Sequence, residues 1–264
     1  DTMIAWPEEV EVAGFRDQVI VITGASSGIG RALALQLAGQ GTRLALAARR
    51  AGSLEAVAQE CRQAGARAVA VPTDVSRQEQ CRALVERTVS HYGRIDMLIN
   101  DAGVSGPSLA FAEMKDLALL EESLRINCLG AAYCTYYALP YLKQSRGRIV
   151  GVSSLAGRSG IPNRSAYSAS KHAMTGFFDS LRIELADTGV SVTMIYPDYV
   201  ADKDAEVPRG TLTYDKAASM ILAAAAARKR DLITSGRGKL AIWIKLFAPD
   251  VLDRFTRQAA SKYE

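Results

Sequence analysis

Tyr167 and Lys171 stand four residues apart in the run Tyr-Ser-Ala-Ser-Lys. On a helix that spacing puts both side chains on one face, a turn apart. A free tyrosine titrates near pH 10, so acting near neutrality requires roughly three units, about 4 kcal/mol, of relative anion stabilisation. A lysine cation within reach supplies about one to three of those units. The pattern occurs twice, and the second copy, Tyr199 to Lys203, serves as an internal control. That copy follows Pro197 in an expected loop, with no strand-end hydroxyl before it. Tyr167 instead follows an apolar run that ends in Ser153 and Ser154. A serine at the carboxyl end of a central strand points into the crevice where open α/β sheets take ligands. There its hydroxyl can donate to an oxygen that gains negative charge.

A second constellation suits phosphate. Gly24, Gly28 and Gly30, with Ser26, Ser27 and Ile29 between them, lie directly after the short β-branched run Gln18–Thr23 and before a helical pattern. Glycines there allow a tight turn and close backbone approach, so a pyrophosphate can rest on helix N-terminal amides. The spacing is G-x-x-x-G-x-G, and its place after a first strand is what turns a glycine-rich bend into a dinucleotide site. About 20 residues on, an acidic residue commonly holds the ribose hydroxyls of NAD. This chain has Ala48 followed by Arg49 and Arg50. An arginine grips a 2′-phosphate that a carboxylate would repel, so NADP(H) is expected over NAD(H). Asp74, followed by Val75, is expected either to face the adenine or to cap the next helix.

These residues need a frame, and the pattern supplies one. After the first strand come a helix near Ile29–Gln40, strand Arg43–Ala48, a helix near Ser53–Ala64, strand Arg67–Pro72 and a helix near Arg77–His91. Strand Asp96–Asn100, a long helical stretch near Lys115–Gln144, strand Arg148–Ser153 and a helix near Arg164–Asp187 follow. Strand Val190–Tyr196, a helix near Tyr214–Arg228 and a short strand Asp231–Thr234 complete the series. Short apolar strands alternating with amphipathic helices imply right-handed crossovers and a parallel sheet covered on both faces. The expected fold is therefore α/β: one doubly wound Rossmann-type domain over 1–264, with about seven strands. Residues 1–16 are expected as an arm, 196–213 as a short substrate loop and 237–264 as a C-terminal helical segment.

Composition narrows the function classes. Of 264 residues, 48% are hydrophobic and 23% charged, which suits a globular domain with a sizeable core. The net charge of +4 is spread along the chain, so no nucleic-acid partner is expected. Four scattered cysteines and two histidines, without CxxC spacing, leave no expected metal site. Asp1–Trp6 lacks a basic segment leading into an apolar one, so no export signal is expected, and a cytoplasmic location with reduced thiols is. The stretch Lys239–Pro249 is apolar and aromatic, with Arg237, Lys239 and Lys245 around it. It reads as a core or dimer-contact helix, or as a helix lying on a membrane surface through 237–249.

With these motifs on view, a resemblance emerges. TGASSGIG (23–30), the Asn-Asp-Ala-Gly of Asn100–Gly103, Asn127, the Ser153–Ser154 pair and Tyr167–Lys171 resemble the ordered motifs of the short-chain dehydrogenase/reductase family. The likeness runs over about 17–200, and 157–185 resembles the membrane-associated, 11β-hydroxysteroid-dehydrogenase-like branch. It implies that Tyr167 moves the proton and that Lys171 lowers its pKa and binds the nicotinamide ribose. It implies that Ser154 orients the carbonyl and that Asn127 holds a water linking Lys171 to solvent. Asn100, Ala102 and Gly103 would line the adenosine side, and Pro197, Val200 and Asp202 would meet the carboxamide. A homodimer or homotetramer is a further implication. Ser154, Leu155, Tyr167, Tyr196 and Tyr199 are expected around an apolar carbonyl or secondary alcohol, in an open pocket under a short loop.

The chain departs from the family pattern at Asp101, where asparagine is usual, and at Asp198 and Asp202, where glycine and threonine are. Carboxylates near the nicotinamide would favour its oxidised, positively charged form. The departures also keep open a cofactor-binding sensor or scaffold with little turnover. Epimerisation or dehydration of a nucleotide sugar is a third reading, set against by the absence of a larger substrate domain.

Overall fold

The run Val19–Thr23 (β1) is buried along its whole length, which is why it carries no alternating polar face. In the computed structural model, which describes residues 14–202 and 211–260, β1 has β2 (Arg43–Ala48) on one side and β4 (Met97–Asn100) on the other. Beyond β2 lies β3 (Arg67–Pro72); beyond β4 follow β5 (Arg148–Val152), β6 (Ser191–Tyr196) and β9 (Asp231–Ile233). Every ladder in this seven-stranded sheet is parallel. The chain leaves β1 in one direction, through β2 to β3, and then returns to β4 on the opposite side. That reversal opens a crevice beyond the carboxyl ends of β1 and β4.

Helices cover both faces. On one, α1 (Gly28–Ala38), α2 (Ala51–Gln63) and α7 (Tyr214–Ala226) bury Leu33, Leu37, Leu54 and Ile221 against Ile20 and Ile22. On the other, α3 (Gln78–Tyr92), α5 (Gly130–Ser145) and α6 (Ser165–Glu184) bury Leu84, Leu142, Met174 and Phe178 against Val21 and Ile149. Alternate strand residues thus feed two separate cores, as the twofold period of a strand requires. The four cysteines are free thiols, three of them buried.

Two regions differ from the sequence pattern. The expected continuous helix near 115–144 is instead α4 (Ala118–Leu124), one π-helical turn at Arg125–Leu129, and α5. Such a turn carries an extra residue and re-aims side chains, frequently at functional sites; here it turns Asn127 fully inward. Beyond β9 come α8 (Gly236–Phe247) and α9 (Pro249–Ala260). A core position for this segment does not hold, because Leu240, Trp243, Leu246 and Phe247 all face outward.

A two-residue bridge between β7 (Val200–Ala201) and β8 (Leu212–Thr213) closes the base of the loop before α7. Residues 203–210 of the expected substrate loop, including Lys203, lie outside the described residues, as do 1–13 of the expected arm and 261–264. No described helix is long and apolar enough to cross a membrane.

Candidate active site

A cleft of about 1070 Å³ runs along the carboxyl ends of β1, β2, β4, β5 and β6. Ligand pockets usually measure about 300–1,000 Å³, so this one has room for a dinucleotide with a small molecule beside it. One end is built by the turn from β1 into α1. Gly24 has φ +75°, and a Cβ there would lie 2.9 Å from Ala102 N. The approach is held by Thr23, whose Oγ1 accepts from Asp101 N and Ala102 N, each at 3.1 Å. Gly28, at φ +55°, sits in the cleft wall with only the Tyr214 ring near its missing Cβ. Gly30 is not in the wall. A Cβ there would meet Gly24 O at 2.4 Å, so this glycine lets α1 pack on the turn beneath the ligand. The N-cap residue Ser27 makes no capping bond and the first turn has no acidic residue, which leaves the amides of Gly28 and Ile29 in the cleft wall for an anion, while the Gly30 amide is engaged by Asp101.

Arg49 and Arg50 are exposed on the cleft rim after the buried Ala48, and neither is in a salt bridge among the described residues. Asp74 also faces the cleft, and its Oδ1 accepts from Ser76 N (3.0 Å) and Ser76 Oγ (2.7 Å). Burial acts to raise its pKa, but those two bonds with Arg49 and Arg77 hold the carboxyl below the usual range. Asp74 does not cap the next helix, whose N-cap is Arg77 with no side-chain capping bond; it closes a local turn on Ser76 at the cleft wall. Val75, Ala102 and Gly103 line the cleft, as do Ser26, Ser27 and Ile29. Asn100 does not. It is buried behind β4, where its Nδ2 donates to Thr135 Oγ1 at 3.2 Å, so it anchors the strand instead of lining the adenosine side.

At the other end β5 and α6 bring Ser154, Tyr167 and Lys171 together. The two serines separate cleanly. Ser153 is buried, with Oγ 3.3 Å from Lys171 O and 3.4 Å from Thr175 Oγ1, and it fastens β5 to α6. Ser154 turns outward and hydrogen-bonds the Tyr167 side chain. Lys171 Nζ donates to Val152 O at 3.0 Å and lies 5.8 Å from the Tyr167 ring centre. Burial pulls the lysine down to about 8, opposed by Asp101. Burial also raises Tyr167 above its ordinary value, against the Ser154 bond and Arg164. Burial therefore opposes ionisation of the tyrosine, and a cation brought beside it would act the other way.

Asn127 is near this end without lining the cleft. Its Oδ1 accepts from Val104 N (2.8 Å), and its Nδ2 donates to Val104 O (2.9 Å) and Ser170 Oγ (2.8 Å). It clips the loop after β4 to α6, beside Lys171. A Cβ on Gly103 would come 3.0 Å from Asn127 Oδ1 and 3.5 Å from Lys171 Nζ, so a larger residue there would press on the Asn127 amide.

The altered acidic positions take three different places. Asp101 lies in the cleft, accepts from the Gly30 amide, and is pushed up to about 7 by burial against the pull of Lys171. Asp198 also reaches the cleft, but its carboxylate is engaged elsewhere. Oδ2 accepts from Ser235 Oγ at 2.8 Å and lies 3.6 Å from Arg237, while Oδ1 accepts from Tyr199 N. Tied to the start of α8, it is not free to set the charge of a nicotinamide. Asp202 is exposed and outside the cleft wall.

Of the apolar residues expected around substrate, Leu155 and Tyr199 line the cleft with Pro197 and Val200. Tyr196 does not: its ring is fully buried beneath Arg158, whose guanidinium lies 4.7 Å from the ring centre. As the last residue of β6 it follows strand alternation into the core. Arg164 and Tyr214 reach the cleft unannounced. Arg164 Nη1 donates to Gly106 O at 2.8 Å. Nothing in the spacing places either one, since each depends on how a distant loop returns.

The family model described as short chain dehydrogenase matches residues 18–208. The 11-beta-hydroxysteroid dehydrogenase A of Sesamum indicum is 36% identical over 264 residues, 92% of this chain and 74% of that protein. The 11-beta-hydroxysteroid dehydrogenase 1A of Arabidopsis thaliana is 43% identical over 184 residues, 69% of this chain. The chain spans about half that relative's length, 52%. Among solved structures, a short chain dehydrogenase/reductase from Burkholderia phymatum in complex with NAD superposes with a TM-score of 0.81 at 25% identity, covering 90% of this chain and 95% of that one.

Proposed function

This chain belongs to the short-chain dehydrogenase family of oxidoreductases, and from that premise we propose that it interconverts an apolar ketone and a secondary alcohol with NADP(H). One observation carries the reading. Ser154, Tyr167 and Lys171 meet at one end of a single cleft whose other end has an uncapped helix N-terminus and two arginines outside any salt bridge among the described residues. A binding module needs the second end only.

Bound nicotinamide supplies the hydride donor or acceptor and, when oxidised, a positive charge beside the tyrosine. The chain supplies the rest. Ser154 exchanges its bond to Tyr167 for one to the substrate, donating its single hydroxyl hydrogen to the substrate oxygen beside the phenol. Tyr167 Oη gives its proton to that oxygen in reduction and takes it in oxidation. Lys171 stands a turn away as the cation that favours the phenolate, provided its ammonium leaves the Val152 carbonyl for a ribose hydroxyl. Asn127 acts through position, holding α6 and the loop after β4 around the lysine and serving a water on the lysine's solvent side.

Arg49 and Arg50 would take the 2′-phosphate. A carboxylate, Asp74, lies close by, and Arg49 offsets it. Leu155, Ile161, Tyr199 and Val200 make the reacting end apolar, which favours a hydrophobic substrate. We place the protein in the cytoplasm as a homo-oligomer.

The test is NADPH oxidation over aliphatic, aromatic and steroid ketones, with alcohols and NADP⁺ in the reverse direction and Tyr167→Phe alongside. Loss of a proton donor worth about 10²–10⁴-fold should all but abolish turnover in the variant while NADPH binding persists. Binding without turnover of any ketone or alcohol would overturn the enzyme reading in favour of a sensor.

A further inference from the structure

A second cavity, of about 400 Å³, lies at the amino ends of β1, β4 and β5, where Gln18, Asp96 and Arg148 precede or begin those strands. It is at the opposite end of the sheet from the cleft and shares no residue with it. Five arginines stand in its wall against two aspartates, and both aspartates are already engaged. Asp96 Oδ1 pairs with Arg94 at 2.6 Å while Oδ2 accepts from Val19 N, and Asp17 lies 3.4 Å from Arg43, outside the wall. The other four arginines of the wall are in no salt bridge among the described residues.

Those four play different parts. Arg228 is occupied by carbonyls, donating to Gly189 O at 2.9 Å and Arg146 O at 2.7 Å, so it brings charge and few free donors. Its bond to Arg146 O also masks a carbonyl at the end of α5 that would repel an anion. Arg148 is half-buried, with Nη1 on Gln18 Oε1 at 3.1 Å and its guanidinium 5.6 Å from the Phe15 ring centre. Its buried Nε has no hydrogen-bond partner among the described residues, which is a costly state for a donor. Burial and then Arg228 pull the Arg148 pKa down, against Asp96. Two cations crowd each other there, and a bound anion relieves both. Arg16 and Arg146 are exposed at the rim.

The backbone is strained around the same cavity. Four described residues other than glycine have positive φ, and Asp17 (+60°), Arg146 (+48°) and Arg228 (+49°) are three of them. Arginine seldom takes that conformation, and such strain gathers where a ligand site sets the geometry.

We propose that this cavity binds a phosphate-bearing small anion of two or three negative charges, gripped by Arg16, Arg146 and Arg148. Guanidinium forks match phosphate oxygens two at a time. The volume is near the lower end for ligand pockets, which suits a molecule of sugar-phosphate size. The proposal does not rest on the oxidoreductase reading.

The full chain is titrated calorimetrically with inorganic pyrophosphate and with ribose 5-phosphate, alone and with excess NADPH, at about 0.1 M salt to screen distant charges. One saturable site should appear, and NADPH should leave its affinity unchanged. The two probes separate a bare anion from a phosphorylated small molecule. Arg16→Gln with Arg146→Asn, both at exposed positions and the second tolerant of a left-handed backbone, should keep the circular dichroism spectrum and weaken binding at least about tenfold. Arg148→Lys keeps the charge but loses the fork, and it should weaken binding too. No saturable binding of either probe, displacement of the probe by NADPH, or unaltered affinity in the Arg16 and Arg146 variant overturns the proposal. A chain that binds pyrophosphate through these arginines but ignores NADPH would sink the cofactor reading and uphold this one.

Discussion

Burial pushes the Asp101 carboxyl up to about 7 and pulls the Lys171 ammonium down to about 8, and each opposes the shift of the other. Asp101 also raises Tyr167, the wrong direction for a residue that must give up its proton. Asp101→Asn keeps an oxygen for the Gly30 amide and removes the charge. In alcohol oxidation the rising limb of kcat/KM should therefore move to lower pH in the variant. A limb that stays in place would show that the cofactor screens Asp101 from Tyr167.

Stability gives an independent reading of the same residue. A carboxyl whose folded pKa lies above its unfolded value costs stability progressively as pH rises from about 3.8 to about 7. Lys171, depressed to about 8, contributes a constant penalty across that window and regains stability only above it. Asp101→Asn should therefore raise the melting temperature more at pH 8 than at pH 5. An equal gain at both would mean that Asp101 is ionised throughout, held by Lys171 and the α1 terminus.

At the scale of elements, the site depends on how closely α1 approaches the turn that precedes it. Gly30→Ala places a methyl 2.4 Å from Gly24 O and 2.8 Å from Asp101 Oδ2, and one of the two is backbone that cannot rotate away. Overpacking of this kind costs about 1–3 kcal/mol, and the shift it forces opens the phosphate cradle. Urea unfolding should show that loss, and NADPH titration a weakened affinity. Gly52→Ala is the control. It lies exposed in α2 with nothing within 4 Å of its missing Cβ, and it should gain up to about 0.5–1 kcal/mol with NADPH affinity unchanged.

The same elements show what could be read from the chain. Strand β2 matches its expected limits because a buried parallel strand is a short apolar run with sharp polar ends, and β3, partly exposed at the sheet edge, still reads from its apolar run between Arg67 and Pro72. The π turn at Arg125–Leu129 was not legible, since one extra residue in a helix leaves the periodicity almost unchanged. Ser154 and Tyr167 were legible as chemistry at a strand end and a helix start. Asn100 and Tyr196 were misplaced because a motif does not say which side of a strand a residue faces, and both turn into the core. Asp198 was visible as a departure, but its partners Ser235 and Arg237 are 37 and 39 positions later, beyond the reach of local pattern.

At the scale of the molecule, the sheet order splits the chain into two halves that meet between β1 and β4, and the cleft crosses the join. One half carries Arg49, Arg50 and the glycine turn; the other carries Ser154, Tyr167 and Lys171. A ligand that spans both is bound only by the folded chain, so it stabilises the whole fold by mass action. At about 100 times its dissociation constant that amounts to about 2.7 kcal/mol. For a domain of this length each kcal/mol moves the melting temperature by about 2–4 °C. NADPH should therefore raise it by about 5–10 °C, and NADH at the same concentration by clearly less. Paired replacement of Arg49 and Arg50 by alanine separates the reasons. Both side chains are exposed and outside salt bridges among the described residues, so the ligand-free stability should stay within about 0.5 kcal/mol of wild type. The extra shift from NADPH should vanish while the NADH shift remains. Equal shifts from the two cofactors in the unaltered protein would place the arginines in solvent and remove the case for the 2′-phosphate.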